Sequence, residues 1–291
     1  MIARSFVARL FKASAAVLSV ALLVPLAACG QSSAADETVV QVAARADFDE
    51  IWAAVNKELE PEHIKVVNKA YDTSVNLSDL VLDGDIDMNT AQHPAVLENY
   101  QKENPARYSD LAIIGTLHLN PMFLYSKKYK SVDQLPDNAK IAIPDDAANE
   151  GHALSVLERA GLIKLREDAP ILPSVDDIAE NPKHIQFENI SSEMMVRVLD
   201  DVDAGIVYNR NATDAGLNPK TDPIYRYELT DLNEYPIEKK FVISFIVKKD
   251  RADDPVLKKV VEAYHSDAVI EAYRQSYPDL LPVNGDIVTN L

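Results

Sequence analysis

Residues 140–161, KIAIPDDAANEGHALSVLERAG, decide how this chain folds. KIAIP is a short apolar strand, DDAANEG is a turn, and HALSVLERAG is a helix that Gly161 is placed to terminate. The pair Asp145-Asp146 sits at the turn, where acids serve as helix caps rather than as a catalytic pair. The same unit recurs outward in both directions. TVVQVAA (38–44) reads as a strand, followed by the helix DFDEIWAAVNKELE, with Asp47 as its N-cap and Glu50 three residues on. Phe48, Ile51, Trp52, Val55 and Leu59 share one face of that helix, which predicts packing on a sheet. HIKVVNKAY is a second strand, and LSDLVLDG is a short helix ending at Gly84. SDLAIIGTLHL (109–119), DAGIVY (203–208) and FVISFIVKK (241–249) are further strands. DPVLKKVVEAYHS is a late helix with Pro255 in its first turn. This alternation predicts an α/β fold with mostly parallel sheets.

The chain has one cysteine, Cys29, so an internal disulfide is excluded. Before it stand Arg4, Arg9 and Lys12 with no acid, then an apolar run from Ala13 to Leu26. That run has the length of a secretory h-region and is too short to span a bilayer. Leu26-Ala27-Ala28-Cys29 resembles a bacterial lipobox, which implies a signal peptide over 1–28 and a diacylglycerol on the Cys29 sulfur. Residues 29–37 then read as a small, polar, lipidated tether. Loss of the leader removes three cations and takes the formal charge from −17 to about −20. A surface so acidic repels nucleic acid and anionic headgroups. Eight glycines leave little material for a phosphate-cradling loop, and neither G-x-S-x-G nor H-E-x-x-H occurs. The expectation is a protein that performs no catalysis and needs no cofactor.

Four segments occur in a fixed order: DGDIDMNTAQH from Asp83, KIAIPDDAANEGHALSVLERAGLIKL from Lys140, ILPSVDDIAENPKHIQF, and RVLDDVDAGIVYNRNA. Together they resemble the NlpA/MetQ family of lipoproteins, the substrate-binding components of ABC importers for methionine, from about Val39 to Tyr273. The resemblance implies a two-lobed periplasmic-binding-protein fold of type II-like form, with two crossover segments and a ligand cleft between the lobes. Chain order puts 38–127 and 229–291 in the first lobe and 128–228 in the second. The partners implied are a small-molecule ligand, an ABC permease and, through the lipid, a membrane; the place implied is the cell envelope, facing the periplasm or the extracellular side.

The same resemblance nominates the site. The family's F-Q-H becomes Ala91-Gln92-His93, keeping the polar pair and losing the aromatic. A Tyr-Pro on the crossover becomes Asn120-Pro121. In the loop Asn-x-Gly-Arg, whose arginine forks onto an amino-acid carboxylate, Asn149 and Gly151 are kept and His152 replaces the arginine. The helix starting there is expected to offer free N–H groups to an anion. The family's head-group asparagine falls at Tyr208, beside Asn209, and Arg197 matches the arginine before Leu-Asp-Asp. If TLHLN is a strand, His118 and Asn120 point the same way. The expected function is capture of a small polar solute (methionine, another amino acid or a short peptide) for delivery to the permease, with the changed contacts favouring a ligand other than methionine. The alternatives are a metal receptor in which His93, His118 and His152 face one cleft, and an envelope scaffold with a silent pocket.

Overall fold

The computed structural model describes residues 37–44, 48–71 and 75–289. The leader, Cys29, most of the tether and Asp47 lie outside the described residues. From the amino end, β1 (Thr38–Ala44) is followed by α1 (Asp49–Leu59), β2 (Ile64–Ala70), α2 (Leu77–Asp83) and β3 (Met88–Gln92). Helices α3 (Pro94–Glu103) and α4 (Pro105–Tyr108) lead to β4 (Leu111–Thr116), β5 (His118–Leu119) and β6 (Met122–Tyr125). Next come β7 (Lys140–Pro144), α5 (Ala147–Arg159), β8 (Lys164–Leu165), β9 (Ile178–Glu180) and β10 (Gln186–Ile190). The chain continues through α6 (Met195–Val198), β11 (Ala204–Tyr208), α7 (Asn209–Asp214) and β12 (Pro223–Tyr225). It closes with β13 (Ser244–Lys248), α8 (Pro255–Tyr264), α9 (Asp267–Ser276), β14 (Leu281–Asn284) and β15 (Ile287–Val288).

Two five-stranded sheets form the centres of two α/β lobes, in the orders β2-β1-β3-β13-β4 and β10-β7-β11-β6-β12. The sheets are mixed, not mostly parallel. β1 pairs in parallel with β2 and β3, and β7 with β10 and β11. β13 runs antiparallel to β3 and β4, and β6 antiparallel to β11 and β12. The reason is connectivity: β13 and β6 each follow a crossing from the other sheet and enter from the opposite end, without the βαβ return that makes neighbours parallel. β6, which the expected boundary at 127 put with the first lobe, is hydrogen-bonded within the second sheet.

Each sheet buries its own core. In the first, Ile51, Trp52, Val55 and Leu59 of α1 meet Val40, Val42 and Val66, together with Val260 and Tyr264 of α8 and Tyr273 of α9. Each such side chain contributes about 1.5–3 kcal/mol by leaving water. In the second, Leu154 and Leu157 of α5 cover Ile141, Ile143 and Ile206. A third cluster, with Leu119, Leu229, Leu232, Phe241 and Val283, occupies the region where the chain crosses between sheets.

Helix α5 differs from its sequence reading in one way that bears on the site. It starts at Ala147, five residues before His152, because the Asp146 side chain caps it by accepting from Asn149 N at 3.0 Å. Gly151 is therefore a mid-helix residue. Its place there is explained by the backbone of Leu172 and Pro173, which lies 3.0 Å from where a Cβ would stand. The helix ends as expected: Gly161 has φ +71°, with Gly161 N donating to Glu158 O and Leu162 N to Leu157 O.

Candidate functional site

The second turn of α5 places His152 against the segment that returns the chain from β12 to β13. There Glu238 lies fully buried, and so does His152. His152 Nε2 donates to Glu238 Oε2 at 3.0 Å. The other carboxylate oxygen accepts from Arg159 Nη1 at 3.0 Å and from the Tyr227 hydroxyl at 2.9 Å. Arg159, seven residues after His152 on the same helical face, lays its guanidinium over Tyr227 and Tyr235 at 4.7 and 4.2 Å. Burial alone would push the Glu238 carboxyl up, but the combined pull of His152, Arg159 and Tyr227 holds it below the usual carboxylate range. Glu238 is thus an anion at neutral pH, satisfied from within the protein.

Phe241 organises the imidazoles. His152 stacks on it at 4.1 Å with the rings 15° apart, and His93 leans on it at 5.0 Å. His93 is held at the start of α3 by Pro94, the first residue of that helix. Burial, and then repulsion from His152, lowers the His93 pKa to about 4, so its ring is neutral at neutral pH. The Nδ1 atoms of both rings are buried without a hydrogen-bond partner among the described residues. Tyr208, at the end of β11, meets the His152 ring edge-on at 6.4 Å, and its hydroxyl donates to Asn149 Oδ1. Asn149 Nδ2 donates in turn to Asp146 Oδ2 at 2.8 Å. Burial, and then the charges of Asp146 and Glu238, raise the Tyr208 pKa, so its hydroxyl keeps its proton.

His93 and His152 thus share the Phe241 ring, and His152, Tyr208 and Asn149 are joined by a ring contact and a hydrogen bond. The other candidates lie elsewhere. Gln92 Oε1 accepts from Ser78 Oγ at 2.8 Å and Asn89 Nδ2 at 2.6 Å within the first lobe. Asn120 Oδ1 accepts from Arg210 N at 3.1 Å, at the start of α7. Asn209 is buried, with its N–H on Pro121 O and its Oδ1 receiving Tyr125 Oη–H at 3.4 Å. Arg197 is exposed on α6, against Met194 Sδ. His118 stacks on Phe48 at 5.2 Å, and its Nδ1 pairs with the Tyr273 hydroxyl at 2.8 Å. The three imidazoles thus divide between two aromatic clusters instead of facing one cleft. Among the described residues no group of three His, Cys, Asp or Glu side chains is placed to hold a metal ion.

One expectation is overturned by α5. The backbone N–H of His152 lies inside the helix, and the free N–H groups are those of Ala147, Ala148 and Asn149, of which the Asp146 carboxylate takes that of Asn149. Sequence reasoning also missed Glu238, Arg159, Tyr227 and Phe241. Of these, Arg159 alone had a signal, its two-turn spacing from His152.

The model of the family described as NlpA lipoprotein matches residues 40–282. The chain belongs to the NlpA lipoprotein family. Within it, the chain is 32% identical over 267 residues to the D-methionine-binding lipoprotein MetQ of Escherichia coli (strain K12), covering 90% of this chain and 94% of that protein. It is 33% identical over 247 residues to the probable D-methionine-binding lipoprotein MetQ of Pasteurella multocida (strain Pm70), covering 84% and 85%. Among solved structures, a nutrient binding protein from Burkholderia cenocepacia bound to methionine superimposes with a TM-score of 0.69 at 32% identity, over 84% of this chain and 99% of that one. These NlpA relatives are binding proteins. Among the described residues of this member, no helix is long and apolar enough to cross a membrane.

Proposed function

We propose that this NlpA-family chain is the solute-binding component of an ABC importer, tethered to the envelope membrane through a lipid on Cys29. It captures a small solute between a lobe built mainly from 38–121 and 229–291 and a lobe built from 122–228, delivers it to a permease, and does no chemistry on it. Family membership and the two-lobed fold support the receptor role. The solute is not methionine, and one observation carries that part: His152, the counterpart of the family's carboxylate-binding arginine, is fully buried and already bonded to the protein's own carboxylate, Glu238. An amino acid's carboxylate arriving there would meet an anion.

A thermal-shift screen of the purified protein against amino acids, short peptides and uncharged small solutes tests both parts. A solute at 100 times its Kd adds about 2.7 kcal/mol of stability. A shift with a solute other than free methionine is the expected result. Tight binding of free methionine would refute the change of ligand. Silence across the whole panel, together with no association with a permease, would refute the receptor role.

A further inference from the structure

A cavity of about 150 Å³ is walled mainly by the first lobe, with Arg210 of α7 also in its lining and Glu238 not among its walls. Ala44 at the end of β1 and Thr90 and Ala91 of β3 border it, so it sits at the carboxyl ends of parallel strands. Open α/β sheets place ligands there. Its volume matches that of an engineered core cavity known to take up benzene, about 150 Å³. The walls suit a ring: Phe48, Trp52 and His118 all contribute, backed by Tyr264.

The polar groups narrow the ligand further. Trp52 is 3% exposed, yet its Nε1 donates to nothing among the described residues. A buried donor without an acceptor is costly, and a solute carrying an acceptor would relieve it. The cation in the wall, Arg210, already faces acids: its Nε is 3.2 Å from Asp214 Oδ1 and its Nη1 3.9 Å from Asp279 Oδ1. Its guanidinium also lies 5.3 Å from the Tyr277 ring centroid. A carboxylate would have to compete with both aspartates, so the chemistry favours an uncharged guest.

We infer that this cavity is a binding site for an uncharged, ring-sized solute bearing a hydrogen-bond acceptor, lodged against Phe48, Trp52 and His118 with Trp52 Nε1 as the donor. This deepens the receptor reading by naming a solute class, but its test needs neither lipid nor permease.

Trp52 is the sole tryptophan, so a ¹H–¹⁵N spectrum of the labelled protein contains a single indole N–H signal. The probes are pyridine, a ring with an acceptor, and benzene, a ring without one, both titrated at neutral pH. Pyridine is expected to move the indole signal downfield to saturation and to bind about tenfold more tightly than benzene, the worth of one buried hydrogen bond. Ala91→Phe and Asn120→Tyr, each of which fills the cavity, are expected to abolish the saturable shift while circular dichroism stays that of the parent. An indole signal that pyridine leaves in place, equal affinity for the two probes, or an unchanged titration in a folded Ala91→Phe protein would each overturn the inference. None of these touches the receptor role, which would still stand if another solute raised the melting temperature.

Discussion

Replacing Glu238 by leucine keeps much of its volume and deletes the acceptor at the centre of the crossover. His152 Nε2, Arg159 Nη1 and the Tyr227 hydroxyl then lose their partner together. Hydrogen bonds to a charged group contribute about 1.5–3 kcal/mol each, and removing one member of a buried ion pair typically costs about 3–5 kcal/mol. Arg159 is 17% exposed at its side chain and rests on two tyrosine rings, so it can turn partly toward water. His152 has no such exit, because it is fully buried and stacked on Phe241. The expected loss is therefore about 4 kcal/mol. Urea denaturation followed by far-ultraviolet circular dichroism and by Trp52 emission measures it, the second probe reporting on the first lobe alone. Because an apolar replacement of a whole ion pair is often neutral, Glu238→Leu combined with Arg159→Leu should recover part of the loss. A single-variant loss under about 1 kcal/mol, or additive losses in the double variant, would refute the view that this carboxylate is held by its neighbours.

The folded pKa of His93, about 4, lies below its unfolded value of 6.5, so the unfolded chain binds the proton first as pH falls. Stability is full above about pH 6.5 and drops toward pH 4 by at most about 3 kcal/mol; denaturation at a series of pH values should show this slope flattened in His93→Gln. Gly151→Ala should cost about 1–2 kcal/mol despite the better helix former, because the new Cβ stands 3.0 Å from the backbone of Leu172 and Pro173; a stabilised variant in calorimetry would contradict that packing. His152→Arg alone should not create methionine binding in calorimetric titration, since Glu238 would take the new guanidinium; the combination with Glu238→Ala should be required. Cys29→Ser should move the protein from the membrane to the soluble fraction, and retention on the membrane would disprove the lipid anchor.

Most elements could be read from local pattern. β1, β2, α2 with Gly84 in the left-handed conformation, β7 and α8 all occur where period and end signals put them. Strand direction could not be read. Side chains alternate with period two in parallel and antiparallel strands alike, so nothing in FVISFIVKK distinguishes β13 from a parallel strand. α5 starts earlier than the reading of DDAANEG as a turn implies, because Asp146 caps it at Ala147 and Gly151 marks a close backbone approach inside the helix. Glu238 was invisible for a different reason. Glutamate is almost never fully buried unless paired, and its partners His152 and Arg159 are 86 and 79 residues away in the chain. Within IEKK it has the look of a solvated charge.

That distance in sequence hides a rule of charge that joins the two sites. Arg159 is occupied by Glu238, and Arg210 faces Asp214 and Asp279. The amino end of α5, the natural anion site of this lobe, is taken by Asp146. Arg159, Arg210 and this helix end therefore each face a carboxylate of the chain itself, within a protein whose net charge is already strongly negative. An anionic guest would have to displace an internal anion from a good geometry and enter against the field of the whole protein. A neutral guest faces neither cost, and Trp52 Nε1, which donates to nothing among the described residues, still has a hydrogen bond to offer it. On the proposed reading, a buried His152 paired with Glu238 and a ring-sized cavity walled by Phe48 and Trp52 both suit a guest without charge.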